Sequence, residues 1–357
     1  MINIKSLMFH KITIKNINKE TPEAVSIEFD IPENLKDEFS FKPGQFLTLK
    51  AKIQDKDVKR SYSLCSSPSS GQHKVVVKQI PNGMFSSFAN QELKISDTLE
   101  VNKPAGSFYI ETAPSNNKNY TLLAAGSGIT PMMSILKTVL KEEPNSTVNL
   151  FYGNKNPELT IFKEELEQIK INYGNRFNLH FVYSRSKGES RFHTGRLEGR
   201  KLNKLFKKFA PISHTDDIFI CGPETLTMNV KELLINKFKF DPSNIHFELF
   251  TTSTPIVPKK NSKSEGISEV KATINGEVVN FSVKKNQSIL EGGLAAGFDV
   301  PFSCQGGVCG VCRCMKGNGE VEMENNLVLS EEEIESGAIL ACQSRVLSDH
   351  IEVIFNE

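Results

Sequence analysis

The spacing of apolar and polar residues predicts two different fold classes in the first two thirds of the chain. Up to Pro104, short apolar runs such as ITIKNI, AVSIEF and KVVVKQI alternate with turns that contain Pro and Gly. This pattern predicts short antiparallel strands in a barrel or sandwich. From Tyr120 onwards, the apolar segments TLLAAG, TVNLFYG, FNLHFVYS and DIFICG alternate with helical segments, among them the predicted amphipathic helix PMMSILKTVL. Alternating strands and helices predict a parallel sheet covered by helices.

A third part of the chain follows a segment of different composition. The sequence TTSTPIVPKKNSKSEGI, at residues 251–267, is rich in Ser, Thr, Lys and Pro, which predicts a flexible linker. After it, the Asn275-Gly276 pair between two apolar segments predicts a β-hairpin. A short predicted helix, SILEGGLAAG, then precedes a cysteine-rich loop. The predicted domains are 1–114, 115–250 and 268–357, with the linker at 251–267.

Composition and charge narrow the classes of function. The chain has 357 residues, of which 38% are hydrophobic and 24% charged, so it can form buried cores. The net charge of +1 gives no indication of nucleic-acid binding, and no apolar segment is long enough to span a bilayer. Because Lys5, His10 and Lys11 interrupt the N-terminal segment, it lacks a signal-peptide core, and we expect a cytoplasmic protein. Residues 268–357 carry a net charge of −8 and the remainder +9, which favours docking between complementary surfaces.

Four of the seven cysteines lie between Cys304 and Cys314. Cys304, Cys309 and Cys312 follow the spacing C-x4-C-x2-C, and Cys342 comes after 29 further residues, which is the plant-type spacing of a 2Fe-2S cluster. The alternative is structural zinc, but zinc sites usually pair two short Cys-x2–4-Cys units rather than three cysteines and a distant fourth. Cys314 lies outside the pattern, and we expect it to be a packed thiol.

Two short segments of the first domain carry side chains suited to a flavin. In the segment RSYS, Arg60 can form bidentate bonds to a pyrophosphate, Tyr62 can stack on the ring system, and Ser63 can donate a hydrogen bond. In the segment GMFS, Gly83 allows the backbone to approach a phosphate, and Ser86 adds a hydroxyl. An isolated RSYS would be interpreted as an ordinary strand. The two segments together favour a flavin site.

Two glycine turns of the second domain are typical of a dinucleotide site. The segment GSGITP, Gly126–Pro131, follows a predicted strand and begins a helix, whose N-terminal amides can bind a pyrophosphate. Cys221-Gly222-Pro223 follows another predicted strand, and parallel strands bring their carboxyl ends to the same crevice. The Cys221 thiol is expected beside the nicotinamide. The alternative is an ordinary buried cysteine at the end of a strand.

The order RSYS, GMFS, GSGITP, CGP and a C-terminal cysteine loop resembles the ferredoxin–NADP reductase superfamily fused to a plant-type ferredoxin. The segments FKPGQFLTLKA, LFYGNK, HTGRLEGRKL and PFSCQGGVCGVCRCM are similar to reductase components of phenylacetyl-CoA epoxidase and related oxygenases. The resemblance implies an antiparallel β-barrel FAD domain, an α/β NAD(P) domain with a parallel sheet, and an α+β ferredoxin domain of the β-grasp type. It also implies electron transfer from NAD(P)H through FAD and a 2Fe-2S cluster to an oxygenase or hydroxylase protein.

The resemblance also implies which residues bind each cofactor. Ser63 and Cys221 are expected to position the flavin and the nicotinamide, and the remaining expected FAD ligands are Arg60, Ser61, Tyr62, Val77, Lys78, Gly83, Met84, Phe85 and Ser86. The expected nicotinamide-dinucleotide ligands, besides Cys221, are Gly128, Thr130, Gly222 and Pro223. Phe250 is expected near the flavin ring, with simple core packing as the alternative.

Two further expectations concern the choice of nucleotide and the acceptor protein. Ser184 and Arg185 follow a predicted strand, and an arginine there, or Arg191, can neutralise the 2′-phosphate of NADPH. NADPH is therefore expected, with NADH as the alternative. The acceptor could instead be another hydroxylase or a desaturase, or the chain could be a non-catalytic electron-transfer component.

Overall fold

The computed structural model describes residues 9–250, 266–274, 276–298, 300–302 and 305–355. It forms one compact unit of His10–Leu249 and a second that begins at Phe250. Most of the predicted linker, residues 251–265, and Asn275 of the predicted hairpin lie outside the described residues. Within the described ranges, no helix has the length and apolarity needed to cross a membrane.

The first unit begins with an antiparallel sheet of six strands. In spatial order they are β4 (Lys56–Ser63), β3 (Phe46–Ile53), β6 (Thr98–Val101), β1 (His10–Thr21), β2 (Ala24–Asp30) and β5 (His73–Lys78). A bridge between Leu64 and Val75 joins the two edges of the sheet, which closes it into a barrel. Alternate residues point inwards, among them Ile12, Ile14 and Val77, and helix α1 (Met84–Gln91) inserts Phe85 into the same core.

The second half of this unit is a parallel five-stranded sheet. Its strands, in spatial order, are β11 (Ile245–Leu249), β10 (Asp217–Gly222), β7 (Asn119–Ala125), β8 (Thr147–Asn154) and β9 (Phe177–Tyr183). Its helices are α2 (Ile129–Glu142), α3 (Lys163–Tyr173), α4 (Gly199–Phe209) and α5 (Glu224–Glu232). The chain order reverses between β7 and β10, and ligands of such sheets bind outside the strand ends at that point.

Helix α2 differs from the predicted amphipathic helix. All residues from Ile129 to Leu136 are buried, so the helix has apolar or enclosed neighbours on nearly every side. One face packs on the parallel sheet, and on another Ser134 Oγ donates to the carbonyl oxygen of Ser66, 2.6 Å away, in the loop between β4 and β5. The helix therefore connects the parallel sheet to the barrel.

The second unit has a mixed sheet and a separate core. Its main sheet has the order β13 (Glu277–Lys284), β12 (Ile267–Ile274), β18 (His350–Ile354), β14 (Arg313–Lys316) and β16 (Ala338–Leu340). β12 pairs antiparallel with β13 and parallel with β18. The remaining elements are α6 (Ile289–Ala295), α7 (Glu331–Glu335) and a small pair of strands, β15 (Val321–Met323) and β17 (Ser344–Val346). Gly292 and Gly293 of α6 pack closely on Val283, Phe281 and Val300.

A fully buried carboxylate links the segment before β7 to the end of α2. Glu143 is 0% exposed, and its Oε1 accepts hydrogen bonds from Asn116 Nδ2 at 2.7 Å and from Tyr120 Oη at 3.3 Å. Its Oε2 accepts one from Ser146 Oγ at 2.7 Å. Buried polar oxygens are stable only when they accept hydrogen bonds in this way. Glu143 therefore fixes the start of the parallel sheet.

We expect Glu143→Ala to lower the free energy of unfolding of this unit by about 3 kcal/mol, because several buried donors lose their acceptor. Urea denaturation of the holoprotein measures the change. The matched control is Glu142→Ala, whose carboxylate accepts one bond from Thr112 and should cost about 1 kcal/mol. Equal effects of the two substitutions would contradict the role assigned to Glu143.

Candidate active site

The two predicted nucleotide-binding turns meet at the carboxyl ends of β7 and β10. Cys221 pairs in register with Ala124, and Gly126–Gly128 form a 3-10 turn directly after β7. A Cβ atom at Gly128 would lie 2.1 Å from the carbonyl oxygen of Cys221, far closer than van der Waals contact. Only glycine allows this approach of the two backbones. The structure thus brings Gly128, Cys221 and Gly222 together, as a dinucleotide crevice requires.

The 3-10 turn Gly126–Gly128, called the GSG turn below, is stabilised by neighbouring side chains. The Tyr152 hydroxyl, on β8, donates to the carbonyl oxygen of Gly126 at 3.0 Å, and Gly126 has a φ of +56°. Thr130 Oγ1 donates to the carbonyl oxygen of Ser127 at 3.0 Å, so this predicted ligand also supports the turn. Tyr152 was not identified from the sequence, because nothing in LFYGNK indicates which strand lies beside β8.

The barrel and the parallel sheet together contribute a second group of polar side chains. Ser63 is buried at the end of β4, and its hydroxyl donates to Glu248 Oε2 at 3.0 Å. Glu248 lies on β11 and pairs in register with Cys221. Ser63, Glu248 and Cys221 therefore belong to one site. Glu248 was not predicted from the sequence, although an acidic residue in the apolar strand segment HFELF was a usable signal.

Burial determines the protonation states at this site. The surrounding protein raises the pKa of Glu248 to about 8, and the hydrogen bond from Ser63 opposes the shift only in part. Burial, with a smaller contribution from Glu248, raises the pKa of the Cys221 thiol well above its usual value. Cys221 is therefore a neutral thiol at physiological pH and is suited to positioning a ring rather than to nucleophilic attack.

The RSYS segment presents its side chains on the two faces of β4. Tyr62 is partly exposed, and its ring centroid lies 5.6 Å from that of Phe85. Arg60, two residues earlier and on the same face, is exposed, and it donates to the carbonyl oxygen of Lys59 at 2.7 Å. The Ser61 hydroxyl lies 2.9 Å from that of Thr48. An exposed guanidinium beside an aromatic ring is compatible with a ligand that carries phosphate and a flat ring system.

The GMFS segment forms a tight turn before α1. A Cβ atom at Gly83 would lie 2.4 Å from Ser86 Oγ and 2.4 Å from Ile80 Cγ1. The Ser86 hydroxyl donates to the carbonyl oxygen of Gly83 and accepts from the amide of Ile80, each at 3.2 Å. Its hydrogen bonds thus stabilise the turn. Met84 begins the helix.

Lys78 lies between the barrel and the GSG turn. Its Nζ is 3.8 Å from the position that a Cβ atom would occupy at Gly126. Burial lowers the pKa of Lys78, an effect that Glu23 opposes and Lys155 reinforces. A partly buried ammonium beside a turn of backbone amides is suited to an anionic ligand. Val77 precedes it in the barrel core, and its carbonyl oxygen accepts from Asn90 Nδ2 at 3.0 Å.

The candidate nucleotide-discriminating residues lie two strands away from the GSG turn. Ser184 and Arg185 follow β9, and their amides donate to the carbonyl oxygens of Asn154 and Lys155 at 2.9 and 2.8 Å. Their side chains are exposed, as is that of Arg191 in the same loop. Pro223 caps the start of α5, and Phe250 follows β11 directly.

The cysteine loop of the second unit is held against the segment that contains Cys342. The carbonyl oxygen of Cys312 accepts from the amide of Ala341 at 3.0 Å, and Gln343 Nε2 donates to the carbonyl oxygen of Gln305 at 2.9 Å. A hydrogen bond between the thiols of Cys312 and Cys342 is the largest contribution that raises the pKa of Cys312. The structure thus brings together two cysteines from distant parts of the sequence, both of them predicted cluster ligands.

The loop backbone fits a tightly wrapped cluster. Gly307 and Gly310 have φ angles of +72° and +71°, and a Cβ atom at Gly307 would lie 2.8 Å from the carbonyl oxygen of Asn325. Cys309 is partly exposed, and Cys314 is fully buried in the core, away from solvent. Cys304 lies outside the described residues. Within those residues no group of three potential ligands is arranged to hold a metal ion.

Comparison with known proteins identifies three domain families along the chain. Residues 11–110 match the oxidoreductase FAD-binding domain, 122–232 the oxidoreductase NAD-binding domain, and 272–347 the 2Fe-2S iron-sulfur cluster binding domain. The chain is 35% identical to one of the component proteins of 1,2-phenylacetyl-CoA epoxidase from Escherichia coli K12, over 98% of both chains. It is 34% identical to the ferredoxin reductase component of 3-ketosteroid-9-alpha-monooxygenase from Rhodococcus rhodochrous, over 96% of each.

The chain belongs to this family of oxygenase reductases. Its fold is similar to that of phthalate dioxygenase reductase, with a TM-score of 0.60 and 24% identity over 97% of this chain and 98% of the other. It is also similar to part of an intact self-sufficient cytochrome P450 monooxygenase, with a TM-score of 0.69 and 21% identity over 97% of this chain and 41% of the other. The predicted fold class, family and cofactors of this oxygenase reductase are confirmed.

The raised pKa of Glu248 predicts a pH dependence of stability. The folded group keeps its proton up to about pH 8, whereas the unfolded chain releases it near 4.5. Stability therefore falls as the pH rises through this window, by about 1.4 kcal/mol per unit of pKa difference. Glu248→Gln cannot ionise and should lose this dependence, so its stability relative to wild type should rise from pH 5 to pH 9.

Urea denaturation of the holoprotein at a series of pH values measures the difference. The exposed carboxylate of Glu232 provides the control, because Glu232→Gln should leave the shape of the stability curve unchanged. Parallel curves for wild type and Glu248→Gln would show that the Glu248 carboxyl is already ionised at neutral pH in the folded protein.

Proposed function

We propose that this oxygenase reductase uses NADPH and delivers electrons to an oxygenase of the phenylacetyl-CoA epoxidase type. The observation that carries the proposal is the meeting of Ser63, Glu248 and Cys221 at the point where the strand order reverses. The 35% identity to a phenylacetyl-CoA epoxidase component along almost the whole chain supports the choice of acceptor. Reconstitution with that oxygenase, followed as substrate-dependent NADPH oxidation, tests the assignment. We also propose a cytoplasmic location.

The side chains at the point between β7 and β10 where the strand order reverses are proposed to bring the flavin ring and the nicotinamide ring together. When bound, FAD would supply a ring that takes up hydride from the nicotinamide and gives up single electrons, and the cluster would supply one-electron transfer. The close approach of Gly128 to the carbonyl group of Cys221 fixes the edge of the crevice that is proposed to receive the nicotinamide portion, and the neutral Cys221 thiol is proposed to exclude water beside it. Glu248 holds a proton on its carboxyl group at neutral pH, and Ser63 Oγ is hydrogen-bonded to that group. These two residues can therefore supply a proton at the flavin side of the site.

The proposed ligand sets and boundaries follow the sequence prediction. Arg60, Tyr62 and Lys78 are proposed to contact FAD, since they present an exposed guanidinium, a ring and a partly buried ammonium on neighbouring parts of the barrel. Cys304, Cys309, Cys312 and Cys342 are proposed to hold the cluster. The proposed domains are 1–114, 115–250 and 268–357 with a linker at 251–267, and the start of β12 at Ile267 supports a linker that ends near this residue.

The NADPH preference is proposed to depend on Arg185. Arg185→Ala should raise the Michaelis constant for NADPH by roughly 10- to 100-fold and leave that for NADH nearly unchanged, because one charge-assisted phosphate contact contributes about 1.5–3 kcal/mol. Steady-state kinetics with a small flavin-reactive acceptor measures both constants. Lys237→Ala removes an exposed cation elsewhere in the unit and is the control. Equal changes for the two nucleotides would show that Arg185 does not recognise the 2′-phosphate.

Removal of the cluster should stop electron transfer to the oxygenase without stopping NADPH oxidation at the flavin. Cys309→Ser should abolish the cluster, because serine is a poor substitute for a thiolate ligand, while FAD stays bound to the barrel. The variant should oxidise NADPH with a flavin-reactive acceptor at the wild-type rate but fail to reduce the oxygenase. The control Cys314→Ala alters a core thiol and should keep the cluster spectrum. If Cys309→Ser folds, lacks the cluster and still reduces the oxygenase at the wild-type rate, electrons leave directly from the flavin.

A further inference from the structure

The loop of residues 184–195, which follows β9, closes on the end of that strand. The amide of Tyr183 donates to the carbonyl oxygen of His193 at 2.9 Å, and the amide of Gly195 donates to the carbonyl oxygen of Tyr183 at 2.7 Å. Across the loop, the amide of Gly188 donates to Thr194 Oγ1 at 3.0 Å. The exposed Arg185 and Arg191 thus lie on a loop that is stabilised by its own hydrogen bonds.

The buried side chain of His193 contacts both this loop and strand β9. Its side chain is only 7% exposed, its Nδ1 lies 3.0 Å from Ser190 Oγ, and its Nε2 lies 3.3 Å from Nδ1 of His180 on β9. A Cβ atom at Gly188 would lie 2.3 Å from the carbonyl oxygen of His193, so the loop backbone is packed directly on this residue. The imidazole of His193 therefore links the interior of the loop to the strand.

The two imidazoles lie in an enclosed aromatic environment. The ring of His180 stacks on Phe151 at a centroid distance of 4.9 Å and lies 4.4 Å from Phe209, and the two histidine rings are nearly parallel at 5.6 Å. A hydrogen bond between two ring nitrogens needs one donor and one acceptor. If both rings were protonated, two N–H groups would face each other and the link would be lost.

We propose that His180 and His193 are positioning residues for NADPH, which hold the 184–195 loop closed while neutral and release it when protonated. The proposal rests on the proposed function of Arg185 and the same loop. Neither imidazole contacts the crevice at Gly128 and Cys221, so the pair acts through the loop. Its effect should fall on recognition of the 2′-phosphate rather than on hydride transfer.

The charges around the pair set the direction of the pH dependence. Burial lowers the pKa of His180 to about 4 and also lowers that of His193. Lys170 on α3 and Lys201 and Lys208 on α4 disfavour a further positive charge, and the carboxylate of Glu189 in the loop acts in the opposite direction on His193. An opened loop exposes His193 to water, where a histidine titrates near 6.5. The closed loop is therefore fully stable above that pH and loses stability as the pH falls below it.

The test compares two substitutions of His193 in the full-length holoprotein. His193→Ala removes both side-chain hydrogen bonds and should raise the Michaelis constant for NADPH about fivefold or more at pH 7.5, with kcat and the constant for NADH within about twofold. His193→Gln keeps an amide that can reach His180 but does not titrate. Between pH 7.5 and 5.5 the wild-type constant for NADPH should rise more steeply than that of His193→Gln. The phosphate of NADPH titrates equally with both proteins, so it does not affect the comparison.

The exposed His214, in the same unit, provides the control, because His214→Gln should follow the wild-type pH profile. An unchanged Michaelis constant in His193→Ala, or identical pH profiles for wild type and His193→Gln, would overturn the proposal. If Arg185→Ala changes the Michaelis constants for NADPH and NADH equally, the assignment of Arg185 fails, and hydrogen exchange then tests the loop by itself. Protection of the Tyr183 and Gly195 amides, corrected for intrinsic rates, should decrease at pH 5.5 in wild type but not in His193→Gln, and equal protection in both would reject the histidine link.

Discussion

The close approach of two backbones at the carboxyl ends of β7 and β10 is the constraint on which the active site depends. Gly128 lies against the carbonyl group of Cys221, and no side chain larger than hydrogen fits between them. This contact fixes the GSG turn relative to β10, and β10 in turn sets the register of Glu248 on β11. The barrel completes the arrangement through Ser63, so that four elements distant in sequence form one site.

Local features of this site could be predicted from the sequence, and features that arise between elements could not. The cysteine spacing and the turns at Gly128 and Gly222 are short patterns with a direct chemical meaning, and the structure brings the two turns together. Glu248, Tyr152 and His193 were missed. Each acts through a partner on another strand or loop, and the order of strands in the sheet is needed to identify that partner.

The difference between the predicted and the observed helix α2 has a physical cause, which is the number of layers that surround the helix. The pattern of α2 predicts one apolar face, but the helix lies between the sheet and the barrel, so polar side chains such as Ser134 and Thr138 are also buried. They are satisfied by carbonyl oxygens, Ser134 by that of Ser66 and Thr138 by that of the preceding helical turn. A sequence pattern records polarity, and it does not distinguish a polar residue in solvent from one with a buried acceptor.

Among the residues that the structure describes, the hydrophobic core of the second unit consists of residues between Val270 and Phe355. Because that core is formed within one continuous stretch of the chain, a gene segment that encodes it can be joined to another protein as a unit. During evolution, such an iron-sulfur domain can therefore be transferred as a whole from one oxygenase system to another.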